Sequence, residues 1–216
     1  MKSTLKLVAL SAALVAAFPA AAQQAVAEGN WLIRARVLNV ETANGSTPIG
    51  ALGVPADAIQ VEDKIYPELD ISYFFTKNFA AELILTVPQK HDVTVRSSAV
   101  GRIDAGSFYL LPPTLTAQWH FNPEGTFRPY VGVGVTYSDY SRVKLSAAGI
   151  NLNLDDDYFG PAIQAGFDVK IGKQWFLNFD VKKAHVRSDL KTDAGVKLSR
   201  LKVDPLLIGV GIGYRF

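Results

Sequence analysis

The residues that could carry chemistry are few and scattered. Among 216 residues there is no cysteine, and the three histidines are His91, His120 and His185. Without cysteine there can be no disulfide framework, thiolate zinc site or cysteine nucleophile. No two histidines share the H-E-x-x-H spacing that would hold a metal on one helix face. Each histidine therefore reads as a polar lining or rim residue. His185 with Ser188 is the one weak candidate for a Ser/His pair. The glycines Gly132/Gly134 and Gly209/Gly211/Gly213 lack the spacing of a phosphate loop, and Asp155-Asp156-Asp157 lacks that of an EF-hand. No catalytic residue, metal site or cofactor is expected.

What must position these residues is a chain that is 49% hydrophobic and 19% charged, with 22 Lys+Arg against 20 Asp+Glu. It is too apolar for a disordered chain and too evenly charged for a nucleic-acid binder resting on a basic surface. Residues 1–22 have a cationic start at Lys2 and Lys6, an apolar middle from Leu7 to Phe18 and the small-residue run Ala20-Ala21-Ala22. That is the pattern of a cleavable secretory signal peptide, which leaves 23–216 as the mature domain. The signal holds both lysines of the +2 net charge, so the mature chain is neutral.

From residue 31 onward, segments of about ten residues alternate with a period of two. Trp31, Ile33, Ala35 and Val37 oppose Arg34 and Arg36; Phe79, Ala81, Leu83, Leu85 and Val87 oppose Glu82, Ile84 and Thr86. Eight such segments lie near 31–37, 68–73, 79–87, 115–121, 127–136, 163–171, 175–182 and 206–216. Three connections are short (76–78, 122–126, 172–174) and four are long (41–63, 89–106, 141–157, 187–200). Three short turns and four long external loops describe an all-β, eight-stranded antiparallel up-and-down transmembrane β-barrel. A soluble barrel would turn the apolar face inward. The aromatic residues favour the membrane: Trp31, Trp119 and Trp175 fall at the short-turn end, and Tyr66, Tyr109, Tyr137 and Tyr140 toward the other rim. The ending G-I-G-Y-R-F is similar to the C-terminal signal read by the barrel assembly machinery, an expected partner during biogenesis.

The prolines interrupt this pattern at one place. Pro88 ends the third segment and Pro112-Pro113 begin the fourth, and these two are neighbours in the wall. Proline supplies no ladder donor, so a locally unzipped wall near the outer leaflet is expected there. Apolar residues on the nominally inner face occur in the same half: Ile84, Leu38 and Leu111, which Tyr158 or Phe159 could join. An eight-stranded barrel is largely filled by side chains, which excludes a wide water channel. A hydrophobic solute would enter from outside and leave sideways.

The blocks H-D-V (91–93), L-P-P-T-L-T-A-Q-W-H-F (111–121), F-R-P-Y-V-G-V-G-V-T-Y (127–137) and D-P…G-Y-R-F (204–216) resemble the OmpW family of outer-membrane barrels. The resemblance implies a hydrophobic channel with a lateral opening and passive uptake of small apolar molecules. It places the apolar constriction on Ile84 and Phe159, where commoner members carry Leu and Trp. The expected location is the outer membrane, and the expected partners are small hydrophobic solutes, outer-membrane lipids and lipopolysaccharide, with no nucleic acid. The alternative is a surface-binding or stress-related barrel, a receptor for phage or host ligands, without transport.

Overall fold

A computed structural model of the chain describes residues 28–50, 53–147 and 149–216. Residues 1–22, read as the export signal, lie outside the described residues. Among these, eight long strands close a ring: β1 (Trp31–Glu41), β4 (Lys64–Phe74), β5 (Phe79–Thr86), β8 (Thr114–His120), β9 (Phe127–Ala147), β11 (Asp157–Lys170), β12 (Trp175–Ala184) and β15 (Leu206–Arg215). Each is antiparallel to its neighbours, and the ring closes where β1 meets β15, with Leu32 opposite Arg215 and Leu38 opposite Gly209.

The period-two alternation becomes an inside and an outside. On β1, Leu32, Arg34, Arg36, Leu38 and Val40 are buried, while Trp31 and Val37 face out. On β9, Val131, Val133 and Val135 are exposed on the outer wall. Trp31, Trp119 and Trp175 are exposed at the end that carries the short turns. The interior is narrow, and glycine makes room in it. A Cβ on Gly211 would lie 2.1 Å from the Ala35 carbonyl oxygen and 2.8 Å from Cγ of Arg36.

Two expectations are corrected. The long connections are not mere loops. They hold β2 (Gly45–Ser46), β3 (Ile59–Val61), β6 (Gln89–Val95), β7 (Ile103–Leu111), β10 (Ile150–Leu154), β13 (Arg187–Thr192) and β14 (Lys197–Lys202). These pair in the order β3-β6-β7-β9-β10-β13-β14-β2 and carry the wall beyond the apolar band. There the alternation inverts: Val93, Val95, Leu152, Leu154, Leu190 and Leu201 are buried, while Lys90, Asn153 and Arg200 point outward. A rule seeking apolar outer faces passes over strands whose outer face meets water. The second correction concerns the tyrosines. Tyr140 is an inward position of β9 and is buried in the apolar cluster, Tyr66 packs half-buried against the same cluster, and Tyr137 is covered by the ring of Phe159 at 4.8 Å. Of the four, Tyr109 stands on the outer face of its strand, with the Arg142 guanidinium over its ring at 5.2 Å.

Candidate functional site

The interior is stratified. At the short-turn end Leu32, Phe74, Ala80 and Phe176 form a small apolar cluster. The guanidinium groups of Arg215 and Arg128 cap it, 3.8 Å from the Phe74 ring and 4.8 Å from the Phe176 ring.

Above this lies an ion-paired plug. Arg34 donates Nη2–H to Asp168 Oδ2 at 2.7 Å and Nε–H to Oδ1 at 3.0 Å, a two-point geometry that also reaches Asp70 at 3.1 Å. Arg36 donates to Glu68 at 2.7 Å, Glu82 at 3.0 Å and Asn178 at 2.7 Å. Lys182 adds a contact to Glu68 at 3.1 Å, and Tyr130 donates its hydroxyl proton to Asp180 at 2.8 Å. Gln164 and Thr116 complete the shell of Glu82. Charges held at low dielectric need such dense pairing, since an unpaired one would cost several kcal/mol. These contacts join β1 to β4, β5, β11 and β12 across the interior.

Higher still the lining changes. Ile84, buried to 1% exposure, pairs with Thr114, whose hydroxyl meets that of Thr136 at 2.8 Å. A cavity of about 20 Å³ lies here, lined among others by Ile84, Thr86, Gln89, Leu110, Pro112 and Thr114. Above it His91, Phe108 and Tyr140 stack, with centroids 5.6 Å and 5.7 Å apart. Burial in this stack pushes the His91 imidazole down to about 4, against a smaller opposing pull from the Glu62 backbone. A larger cavity of about 160 Å³ occupies the outermost part of the barrel. Its walls include Ile59, Val93, Val95, Leu145, Leu152 and Leu201, and Ser98 to Val100 lie along it.

The wall beside the smaller cavity is interrupted. The β5–β8 ladder runs from Phe79↔Trp119 to Ile84↔Thr114, and the β6–β7 ladder begins at Gln89↔Leu110. Between them no residue of 85–88 pairs with any of 111–113, although Leu85 and Thr86 still pair with β4 on their other side. Pro88 is exposed, Pro112 lines the cavity, and Pro113 is buried with its carbonyl accepting the Tyr137 N–H at 2.9 Å.

The residues singled out from the sequence thus divide. Ile84 and Leu38 lie inside, and Leu38 belongs to the large apolar cluster. Leu111 and Phe159 do not line the interior. Leu111 is an outer-face position of β7 next to buried Leu110, and Phe159 is 53% exposed on the outer face of β11. Strand parity explains both, since their neighbours Leu110 and Tyr158 take the inward positions and pack in or against the apolar cluster. Among the described residues no hydrogen bond joins His185 to Ser188, whose Oγ instead accepts from the Asp155 N–H at 2.9 Å. An apolar cavity near the outer mouth was expected, but none of the residues singled out for it lines the one at the top. Its signal was the inverted alternation at Val93/Val95 and Leu152/Leu154.

A closed antiparallel ring with a lipid-facing apolar band and a charged interior defines an outer-membrane β-barrel. Its fold matches that of OprG from Pseudomonas aeruginosa, 24% identical, with a TM-score of 0.75 over 87% of this chain and 96% of that one. The chain belongs to the OmpW family, whose model matches residues 27–216. It is 42% identical to the "Uncharacterized outer-membrane protein y4mB" of Sinorhizobium fredii over 91% of this chain and 85% of that protein. It is 30% identical to "Outer membrane protein W" of Vibrio cholerae over the full length of both. It is also similar, at 26% identity over 88% of this chain and 90% of the other, to the "Dibenzothiophene metabolism operon protein PahQ" of Pseudomonas aeruginosa.

Proposed function

We propose that this barrel is a passive conduit that takes up small hydrophobic molecules and releases them sideways into the membrane. The observation that carries the reading is the coincidence of three features at one level. The apolar lining comes down to Ile84, the plug's Glu68 and Lys182 reach the same small cavity, and the ladder lapses between 85–88 and 111–113 beside it. A solute without polar groups cannot replace the ion pairs of the plug, so the straight route is closed to it. A step of about 20 Å³ separates it from a wall whose strands are not stitched together. The outer cavity, about 160 Å³ and aliphatic, is close in size to engineered apolar cavities that stay dry and accept one aromatic ring. The name of PahQ, a dibenzothiophene metabolism operon protein, supports the same solute class. In this reading Ile84 and Leu38 line the path, Pro88, Pro112 and Pro113 keep the exit open, and no residue has a catalytic role. The terminal Phe216, exposed at the short-turn end, serves recognition by the assembly machinery.

Uptake of a small fluorescent hydrocarbon into proteoliposomes tests this. Faster entry than into protein-free vesicles is expected. Equal rates would leave the surface-receptor reading in its place.

A further inference from the structure

We propose that Lys90, Arg142 and Lys144, with the hydroxyls of Ser107 and Tyr109, form a binding site on the outer wall for a phosphate group of lipid A. The site is laid out by register. On the outer faces of three adjacent strands, Lys90 stands opposite Tyr109 and Tyr109 opposite Ser141, while one row higher Asp92 stands opposite Ser107 and Ser107 opposite Lys144. Three cations therefore surround two hydroxyls.

Its height fits the lipid headgroup. From Phe79, level with the tryptophan belt at Trp119, to exposed Val87 the chain climbs about 20 Å at ~3.3 Å per residue and a tilt of ~40°. Lys90 comes three residues later, at the upper edge of an apolar band about 25 Å tall. Val87, Leu111 and Val135 below would face acyl chains, and the cations above them would face phosphate.

The backbone is bent to present these groups. Between Ser107 and Tyr109 the β7–β9 register shifts, so that β9 carries an extra residue. Arg142 sits in this bulge at φ 48°, a conformation that L residues seldom adopt without compensation. The bulge turns Val143 toward the apolar cluster and lays the Arg142 guanidinium over the Tyr109 ring at 5.2 Å. Strain of this kind persists where a side chain must be aimed.

The unmatched charges are those on β9. Lys90 has Asp92 at 3.0 Å, and Lys64, which shares Asp92 at 3.2 Å, has Glu62 as well at 3.0 Å. Among the described residues neither Arg142 nor Lys144 has a carboxylate within 4.0 Å. The acids near them by register are Asp92, in the row of Lys144 two strands away, Asp104 further along β7, and Asp139, opposite Leu111 one row below. An anion carrying more than one charge would complete the patch, and in the outer leaflet that is the phosphate of lipid A.

The test is native mass spectrometry of the refolded barrel in detergent with bisphosphorylated lipid A, dephosphorylated lipid A and phosphatidylglycerol. The barrel should prefer the bisphosphorylated lipid, and the triple change Lys90→Ala, Arg142→Gly, Lys144→Ala should weaken it by about tenfold to a hundredfold. Gly is chosen at 142 because it tolerates the positive φ. Should the triple variant fail to show heat-modifiable gel mobility, Lys144→Glu alone, at an exposed position, is expected to reduce the preference. Equal binding by wild type and variant, or phosphatidylglycerol bound as tightly as lipid A, overturns the proposal.

Discussion

Ile84 faces Thr114 across the last rung of the ladder between β5 and β8, and the next rung is not made until Gln89 meets Leu110. Among the described residues β4 beyond Glu68↔Thr86 and β11 beyond Ala162↔Ala184 also lose ladder pairing on one side. The lapse beside Ile84 is the one that holds two adjacent prolines, one of which lines the small cavity.

Replacing both Pro112 and Pro113 by Val restores two backbone donors where the ladder lapses. Uptake of a small hydrocarbon by proteoliposomes should slow severalfold with the barrel fully folded. An unchanged rate would mean that these prolines do no more than end a strand.

Ile84 and Phe159 should behave oppositely, although the family resemblance pairs them. Ile84 is inside and Phe159 is on the outer face. Ile84→Asp places a carboxylate at the edge of the small cavity and should cut hydrocarbon uptake about tenfold or more. Phe159→Ala should leave uptake within about twofold, while Tyr158→Ala, on the inward side of the same strand, should change it. A strong loss with Phe159→Ala alone would place the constriction elsewhere than Ile84 suggests.

The Arg34–Asp168 pair is fully buried and joined at two points. Arg34→Met leaves Asp168 without its main partner and Asp70 with Arg36 alone, and should destabilise the barrel by about 3–5 kcal/mol. Arg34→Met with Asp168→Leu should recover part of that loss. Urea unfolding followed by tryptophan fluorescence measures both, and an additive double variant would deny the coupling.

His91 gives the outer part of the barrel a pH dependence. Burial lowers its pKa from 6.5 to about 4, so between these values the unfolded segment binds a proton that the folded one does not. Stability is therefore full above pH 6.5 and falls as pH drops toward 4, by roughly 3 kcal/mol for local opening of this region. Lys64, which also disfavours the imidazolium, and Asp92 and Glu62, which favour it, face the same ring. An NMR titration should find the His91 ring still neutral at pH 5.5, and His91→Phe should flatten the dependence. A midpoint near 6.5 would contradict it.

The eight membrane-crossing strands were legible because lipid enforces a rule of alternation: every second residue from Phe79 to Leu85 or from Trp175 to Val181 is apolar, and the rule ends at Lys183. Pro88 and Pro112-Pro113 were legible because proline cannot join a ladder in any fold. Phe159 was misplaced because a motif gives a position along the chain but not its parity, and Leu111 because an inner-face reading was carried across the break at Pro112-Pro113; one residue of shift moves a side chain to the other face. The lining of the outer aliphatic cavity was not legible for a related reason, since its strands β6, β10, β13 and β14 follow the inverted alternation of a barrel in water.

The amino-acid order alone therefore settled the class of fold and its place in the outer membrane, since period, turn length and aromatic placement are local properties. Which apolar residues converge into a cavity, that Arg34 reaches Asp168 across 134 positions, and that the lapse opens beside Ile84 were decided only by closure of the ring. Strand register and shear bring distant inward faces to a common height, and neither is written in any single strand.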